Sequence, residues 1–284
     1  MKKILITGNS GYIGSHLTKL LEDEYIIHGL DLNEPQAPVT KHYEWDINLL
    51  RGTSYAGQEF DAVIHLAALV NAGESVHEPM EYYNTNIGGT LRVLSQIKTK
   101  NFILASTGAA DGCASPYGVS KRAAEDITRQ YCEESDIPFT LFRFYNVIGS
   151  DGFKPTNPDG LMYNLMKAPE AGKFTIFGDD YDCSNDGTCV RDYVHVMEIC
   201  NAIRTAIMKP SGKIECLGHG VGYTVQEMVR LFQRVNEVEF RIEYGPRRAG
   251  DLPSSVLENV SPYMEKLYAM EELLIYDLNN GPAT

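Results

Sequence analysis

None of the six cysteines (Cys113, Cys132, Cys183, Cys189, Cys200 and Cys216) stands in a C-x-x-C pair. The spacing of Cys183, Cys189 and His195 matches no common zinc pattern either. No metal centre is expected, and the cysteines read as free thiols of a reducing compartment. Long apolar runs are missing, which excludes a membrane-spanning helix. The start, M-K-K-I-L-I-T-G, has three apolar residues after its two lysines. That is too few for a secretion signal, so a cytoplasmic location is expected. Positive charge is scarce: 25 Lys and Arg face 38 Asp and Glu, a formal net charge of −13. Such a surface repels nucleic acid and anionic membranes, and neither is an expected partner. An anionic small ligand would need local arginines. Internal repeats and low-complexity segments are absent too.

What is present is alternation. The 284 residues suffice for one large or two modest domains with a real core. K-K-I-L-I-T reads as a buried strand, and an amphipathic helix follows from Tyr12 to Asp23. Strands are expected over Tyr25–Leu30, ending in Asp31, from Asp61 (D-A-V-I-H-L-A-A), from Asn101 (N-F-I-L-A-S) and from Pro138 (P-F-T-L-F-R-F). Helices are expected over Met80–Lys98 and Pro116–Glu134. Strand–helix alternation of this kind implies an α/β fold, a doubly wound parallel sheet with helices on both faces. After Asn146 the texture changes, with Gly, Pro, Asp and Asn crowding residues 149–160, and a second, smaller region is expected.

The first strand runs into T-G-N-S-G-Y-I-G, with Gly8, Gly11 and Gly14 spaced as G-x-x-G-x-x-G. Glycines there allow a tight turn, close approach of backbone to a pyrophosphate, and close helix–strand packing. The helix N-terminus then offers free N–H groups to phosphates. The following strand ends at Asp31, whose carboxylate suits an adenosine ribose and repels a 2′-phosphate. The cofactor expected is NAD, on a Rossmann arrangement, rather than NADP.

The strand from Asn101 ends at Ser106 and Thr107. The next helix carries Tyr117 and Lys121, four apart and therefore on one face. An ammonium beside a phenol favours the phenolate, as would the positive nicotinamide ring of NAD+, so Tyr117 is expected to have a lowered pKa and to serve as a general base. A nearby hydroxyl would bridge it to a substrate hydroxyl. The same Tyr–Lys spacing also occurs as an ordinary helix surface; the glycine loop upstream is what favours the catalytic reading.

With these motifs in order, the chain resembles the extended short-chain dehydrogenases/reductases and, within them, the UDP-galactose (UDP-glucose) 4-epimerase family. The resemblance runs nearly end to end. It rests on T-G-N-S-G-Y-I-G-S-H, V-I-H-L-A-A, G-E-S-V-x-x-P-x-x-Y-Y, S-P-Y-G-V-S-K, R-F-Y-N and F-G-D-D-Y-D-C-S-N-D-G-T-C-V-R-D-Y-V-H-V, with G-P-R-R-A-G-D-L-P near the C-terminus. It implies inversion of C4 of a UDP-hexose through a transient 4-keto sugar, with NAD staying bound through turnover. Gly8, Gly11, Tyr12, Ile13, Gly14, Leu66, Ala67 and Ala68 would line the cofactor site. Asp31 would hold the adenosine ribose, Asp46 and Ile47 the adenine, and Asn86 would lie near the nicotinamide. Tyr117 and Lys121 would be the catalytic pair, with the family's catalytic hydroxyl on Thr107 and Ser106 as the alternative. Asn146 would contact the sugar diphosphate, Leu161 and Phe177 the uracil, Arg191 and Arg248 the diphosphate, and Asp251 the uridine ribose. Arginine forks match phosphate oxygens, which an otherwise acidic protein needs.

The chain departs from the family in three places. The 31–46 segment is short, so a helix is expected to be lost there. The connection from Thr107 to Tyr117 is short and lacks the usual tyrosine–glycine turn. Ser255 stands where narrow-specificity members carry tyrosine, leaving volume for an N-acetylated hexose. Residues 1–147 are expected to form the NAD-binding domain, with 190–210 packing back on it through a helix around Val194–Met208. Residues 148–189 and 211–284 would form the UDP-sugar region. A homodimer through helices 80–98 and 116–134 is implied by the resemblance. Rival readings are a dehydratase, decarboxylase or reductase on the same fold, or a non-catalytic NAD-binding regulator. A 4,6-dehydratase would carry an Asp-Glu pair after the catalytic Thr, where Gly108 and Ala109 stand.

Overall fold

The computed structural model describes residues 1–50, 58–150, 152–248 and 251–275. Besides the two-residue strands Glu59–Phe60 and Lys98–Thr99, its strands in chain order are β1 (Lys2–Thr7), β2 (Tyr25–Asp31), β3 (Lys41–Glu44), β4 (Ala62–His65), β5 (Phe102–Thr107), β6 (Phe139–Phe144), β7 (Asn146–Ile148), β8 (Lys173–Phe177), β9 (Val190–His195), β10 (Ile214–Leu217), β11 (Gly222–Thr224), β12 (Arg241–Gly245) and β13 (Ser254–Ser255). Helices that position the site are α1 (Tyr12–Leu21), α2 (Ala72–His77), α3 (Gly89–Gln96), α4 (Ala109–Gly112), α5 (Pro116–Glu134), α6 (Leu161–Ala171), α7 (Val196–Met208) and α8 (Val225–Val235).

Seven strands form one sheet in the order β10-β6-β5-β4-β1-β2-β3, all neighbours parallel. In β1, Ile4 and Ile6 belong to one core and Leu5 to another. Successive side chains of a strand point to opposite faces, so a strand covered on both sides must be apolar throughout. On the Ile4 side the sheet is covered by α1 (Leu17, Leu21) and α7 (Ile199, Ile203). The Leu5 side is covered by α3 (Val93, Leu94) and α5 (Ala124, Cys132). This is the doubly wound arrangement expected. A third core, with Leu165, Phe174, Tyr193 and Phe232, belongs to the elements that follow β6.

Helix ends follow local chemistry. Pro116 opens α5, and the Ser115 hydroxyl accepts from Gly118 N–H. His195 with Glu198 caps α7, and Thr224 with Glu227 caps α8. By contrast, α1 starts after Gly11 with no side-chain cap, leaving its first-turn N–H groups for a ligand.

Several boundaries differ from expectation. The helix expected over Met80–Lys98 is three pieces: Pro79–Tyr82, a π-helical turn over Tyr83–Gly88, and α3, which stops at Gln96. Lys98–Thr99 is instead a short strand against Glu59–Phe60. Two β-branched residues, Ile97 and Thr99, with an extended φ,ψ at Ile97, end the helix there. Helix α1 stops at Leu21, two residues early, and α7 begins at Val196. Residues 32–40 hold no helix, as the short segment implied. The Thr107–Tyr117 connection keeps one helical turn, α4, closed by Cys113 in the left-handed region at φ 47°. Strand β10, drawn with the 211–284 region, is the edge of the large sheet beside β6.

Candidate active site

A cleft of about 760 Å³ runs along the carboxyl ends of β1, β2, β4, β5 and β6, where ligands sit in open parallel sheets. Its walls include Gly8, Gly11, Tyr12, Ile13, Gly14, Asp31, Asp46, Ile47, Leu66, Ala67, Ala68, Thr107, Tyr117, Lys121, Asn146 and Leu161. These are most of the residues expected from the sequence.

At one end lies the glycine turn. Gly8 has φ +76°, and a Cβ there would lie 2.7 Å from the Ala67 nitrogen; a Cβ on Gly14 would lie 2.0 Å from the Gly8 oxygen. Neither position can carry a side chain. Asp31 is held in place: its Oδ2 accepts Ser10 N–H at 3.0 Å and its Oδ1 accepts Asn33 N–H at 3.0 Å. Asp46 accepts Asn48 N–H at 2.7 Å and starts a short 3-10 turn. A bare glycine turn, an uncapped helix start and an anchored carboxylate fit the pyrophosphate and ribose of NAD. Asn86 is not on the cleft wall. It is buried, exchanges bonds with Leu69 N–H and C=O at 2.8 and 3.0 Å, and donates to Ser120 Oγ at 2.9 Å. It braces the 66–69 wall against α5.

At the end of β5 the structure brings Thr107, Tyr117 and Lys121 together. The Thr107 hydroxyl is close enough to the Tyr117 phenol to lower its pKa, and Lys121 Nζ donates to the Ala105 carbonyl at 3.0 Å. The lowered tyrosine pKa expected from the lysine is not what the protein alone produces. Burial pushes the Tyr117 phenol up to about 12, with only the Thr107 bond opposing it. Burial also brings Lys121 down to about 8, against the pull of Glu125. Desolvation disfavours the charged form of each. A phenolate at this position needs further positive charge beside it.

Ser106, the alternative hydroxyl, also lines the cleft, but alternation along β5 puts its side chain on the opposite face from Thr107. Its Oγ donates to Glu125 Oε1 at 2.5 Å. Glu125 is fully buried and takes a bidentate pair from Arg143, Nε–Oε1 at 2.8 Å and Nη2–Oε2 at 2.7 Å. Arg143 also pairs with Asp111 of α4. That network ties the shortened connection to the floor of the site, and the sequence reading missed it. Thr107→Val is expected to lower turnover about 10²-fold, the scale of a lost proton relay. Ser106→Ala, which leaves the Arg143–Glu125 pair intact, should cost less than about threefold; steady-state rates decide between them.

The remaining candidates border the cleft. Asn146 donates to the Asp192 carbonyl at 3.0 Å. Phe177, Arg191, Arg248, Asp251 and Ser255 are not on its wall but meet in pairs. Arg191 Nη2 lies 2.5 Å from Asp251 Oδ1. Arg248 stacks 4.2 Å above the Phe177 ring and donates to the Asp159 carbonyl at 3.3 Å. Ser255 is opposite Arg191 in the β9–β13 ladder. Arg191 shares its strand face with Tyr193, two residues on, which does line the cleft. Wall residues missed from sequence include Trp45, Tyr145 and Tyr163. The first two adjoin Asp46 and Asn146, a usable signal; Tyr163 had none.

The model of the NAD dependent epimerase/dehydratase family matches residues 4–216. The UDP-glucose 4-epimerase of Haemophilus influenzae is 31% identical over 295 residues, covering 88% of this chain and 87% of the relative. Among solved structures, the UDP-glucose 4-epimerase of Bifidobacterium longum in complex with NAD+ and UDP superposes with a TM-score of 0.84, at 26% identity and 96% coverage of both chains. The UDP-Glc/GlcNAc 4-epimerase of Campylobacter jejuni gives 0.78 at 27% identity, over 96% of this chain and 97% of that one. This chain belongs to the NAD dependent epimerase/dehydratase family.

Proposed function

We propose that this chain is an NAD-dependent isomerase that interconverts UDP-glucose and UDP-galactose at C4 and also admits the N-acetylated pair, a reaction that fits galactose metabolism. The observation that carries this is the convergence of Thr107, Tyr117 and Lys121 beside the glycine turn in one cleft. The relatives' activity supports the same reading.

Tyr117, as phenolate, takes the proton of the sugar 4-hydroxyl, with the nearby Thr107 hydroxyl as the relay. Bound NAD supplies the hydride acceptor and donor, so no net redox change remains. Lys121, anchored on Ala105, keeps positive charge beside the phenol. The alternative, a dehydratase, lacks an acid–base pair after Thr107, where Gly108 and Ala109 follow. Arg191, Arg248, Asp251 and Phe177 hold the UDP moiety after exchanging their present partners for it. Asn146 and Leu161 complete that side. The anchored nucleotide leaves the hexose free to present either face.

The first test is interconversion of UDP-galactose and UDP-glucose by purified protein without added cofactor. A mixture of both sugars is the expected result. No turnover with NAD supplied would place the chain with another sugar or reaction. Ser255→Tyr is expected to lower turnover of UDP-N-acetylglucosamine at least about tenfold and to spare UDP-glucose, since a bulky ring removes the space for the C2 substituent. Equal turnover of the N-acetylated sugar in both forms would refute that role.

We also propose the domain division at 147/148, with the 190–210 segment returning to the NAD-binding side, and a cytoplasmic homodimer. Met80, Leu91, Val119 and Tyr131, on the two segments expected at the interface, are exposed. Among the described residues no helix is long and apolar enough to cross a membrane.

A further inference from the structure

Trp45 is the one tryptophan of the chain. It lines the cleft and is 36% exposed. Among the described residues its ring has no hydrogen-bond, aromatic or cation partner. A large ring left about a third in water is out of keeping with its size, because burial of its apolar area would stabilise the fold.

Its position is set by the sheet. Asp31 and Glu44 face each other across β2 and β3. Trp45 follows, its N–H donating to the Asp31 carbonyl at 2.9 Å. The Trp45 backbone therefore stands one strand spacing from Asp31 and directly before Asp46, and all three residues line the cleft. Leu32, Asn33, Ile47 and Asn48 line the same end of the cleft. Residues 32–40 form no helix over it, and Leu32 is 63% exposed. On Asp46, Oδ1 is taken by Asn48 N–H. The other oxygen has no hydrogen bond among the described residues and can accept from an exocyclic amino group.

We propose that Trp45 is a cofactor-positioning residue: its indole stacks on the adenine of NAD and covers the end of the cleft that the short 32–40 segment leaves open. This rests on the NAD reading above. A flat apolar face beside a carboxylate acceptor, one strand from a ribose site, matches a purine with an amino group. The nicotinamide half belongs near Tyr117, at the other end of the cleft.

Fluorescence of a sole tryptophan reads this directly. Purified protein, stripped of nucleotide with charcoal and checked by circular dichroism, is titrated with NAD, AMP and nicotinamide mononucleotide. NAD and AMP should quench the emission, and nicotinamide mononucleotide should not. In equilibrium dialysis, Trp45→Ala should weaken NAD binding about tenfold or more, the scale of one base–aromatic stack, while Trp45→Phe stays within about threefold. Trp45→Phe keeps most of the buried apolar area and should melt close to the wild type, and circular dichroism checks that Trp45→Ala is folded at the temperature of the dialysis. No NAD uptake by the wild type overturns the cofactor reading and this one with it. Uptake without adenine-dependent quenching, or unchanged NAD affinity in Trp45→Ala, overturns this proposal alone.

Discussion

Tyr117→Phe is expected to lower turnover about 10³-fold, within the range for losing a positioned general base, while bound NAD is retained. The substitution removes one oxygen and nothing else. The ring keeps its place against Tyr82, 6.3 Å away between centroids, and Lys121 keeps its bond to Ala105. The glycine turn and Asp31 are untouched, so cofactor content should match the wild type. Loss of turnover with NAD intact separates catalysis from a regulator that only binds NAD. The pH dependence has a definite sign. Burial, with Thr107 opposing it, holds the phenol up to about 12, and the base is the deprotonated form. The rate, kcat/KM, should therefore rise with pH through the neutral range, and that rise should vanish in Tyr117→Phe. A profile that falls as pH rises from 6 to 8, or a variant with wild-type rate, would remove Tyr117 from this role.

The second large effect is on stability. Glu125→Ala should destabilise the protein by about 3–5 kcal/mol, the cost of leaving a buried charge without its partner. Arg143 is 5% exposed and would lose both bonds of its bidentate pair. Ser106 would lose its acceptor too. For a chain of this size the melting temperature should fall by about 10 °C. Asp111→Asn touches the same arginine at its solvent end, where the carboxylate side chain is 60% exposed. Screening by water limits that change to less than about 1 kcal/mol. Thermal melts of the two variants check the contrast; equal small shifts would mean that the network supports little. The larger substitution should reach the chemistry as well. Glu125 is what raises the Lys121 pKa against burial, so its loss should shift the pKa further down and thin the positive charge near Tyr117.

Some elements were legible because their cause is local. The I-L-I of K-K-I-L-I-T is apolar at three successive positions because both faces of the strand are covered. Helix α5 matches its expected bounds, Pro116–Glu134, because Pro and a Ser cap mark its start. Met80–Lys98 was misjudged because helical periodicity persists through a π turn, while the strand at Lys98–Thr99 needs Glu59–Phe60 as its partner. A tyrosine and a lysine four apart are visible in any sequence. That burial raises one pKa and lowers the other is not, because desolvation depends on what covers them.

The sequence by itself determined the doubly wound fold, the glycine turn, the carboxylate at Asp31 and the Tyr117–Lys121 pair, because each rests on local spacing and the period of one element. Tertiary structure decided which hydroxyl faces the phenol. Ser106 and Thr107 are adjacent and chemically alike, but the pleat sends one to Glu125 and the other to Tyr117. It also decided that Arg191 meets Asp251 and Arg248 meets Phe177, and that Trp45 stands beside Asp31. Those contacts join residues distant in the chain, and only the packing of one element on another brings them within reach.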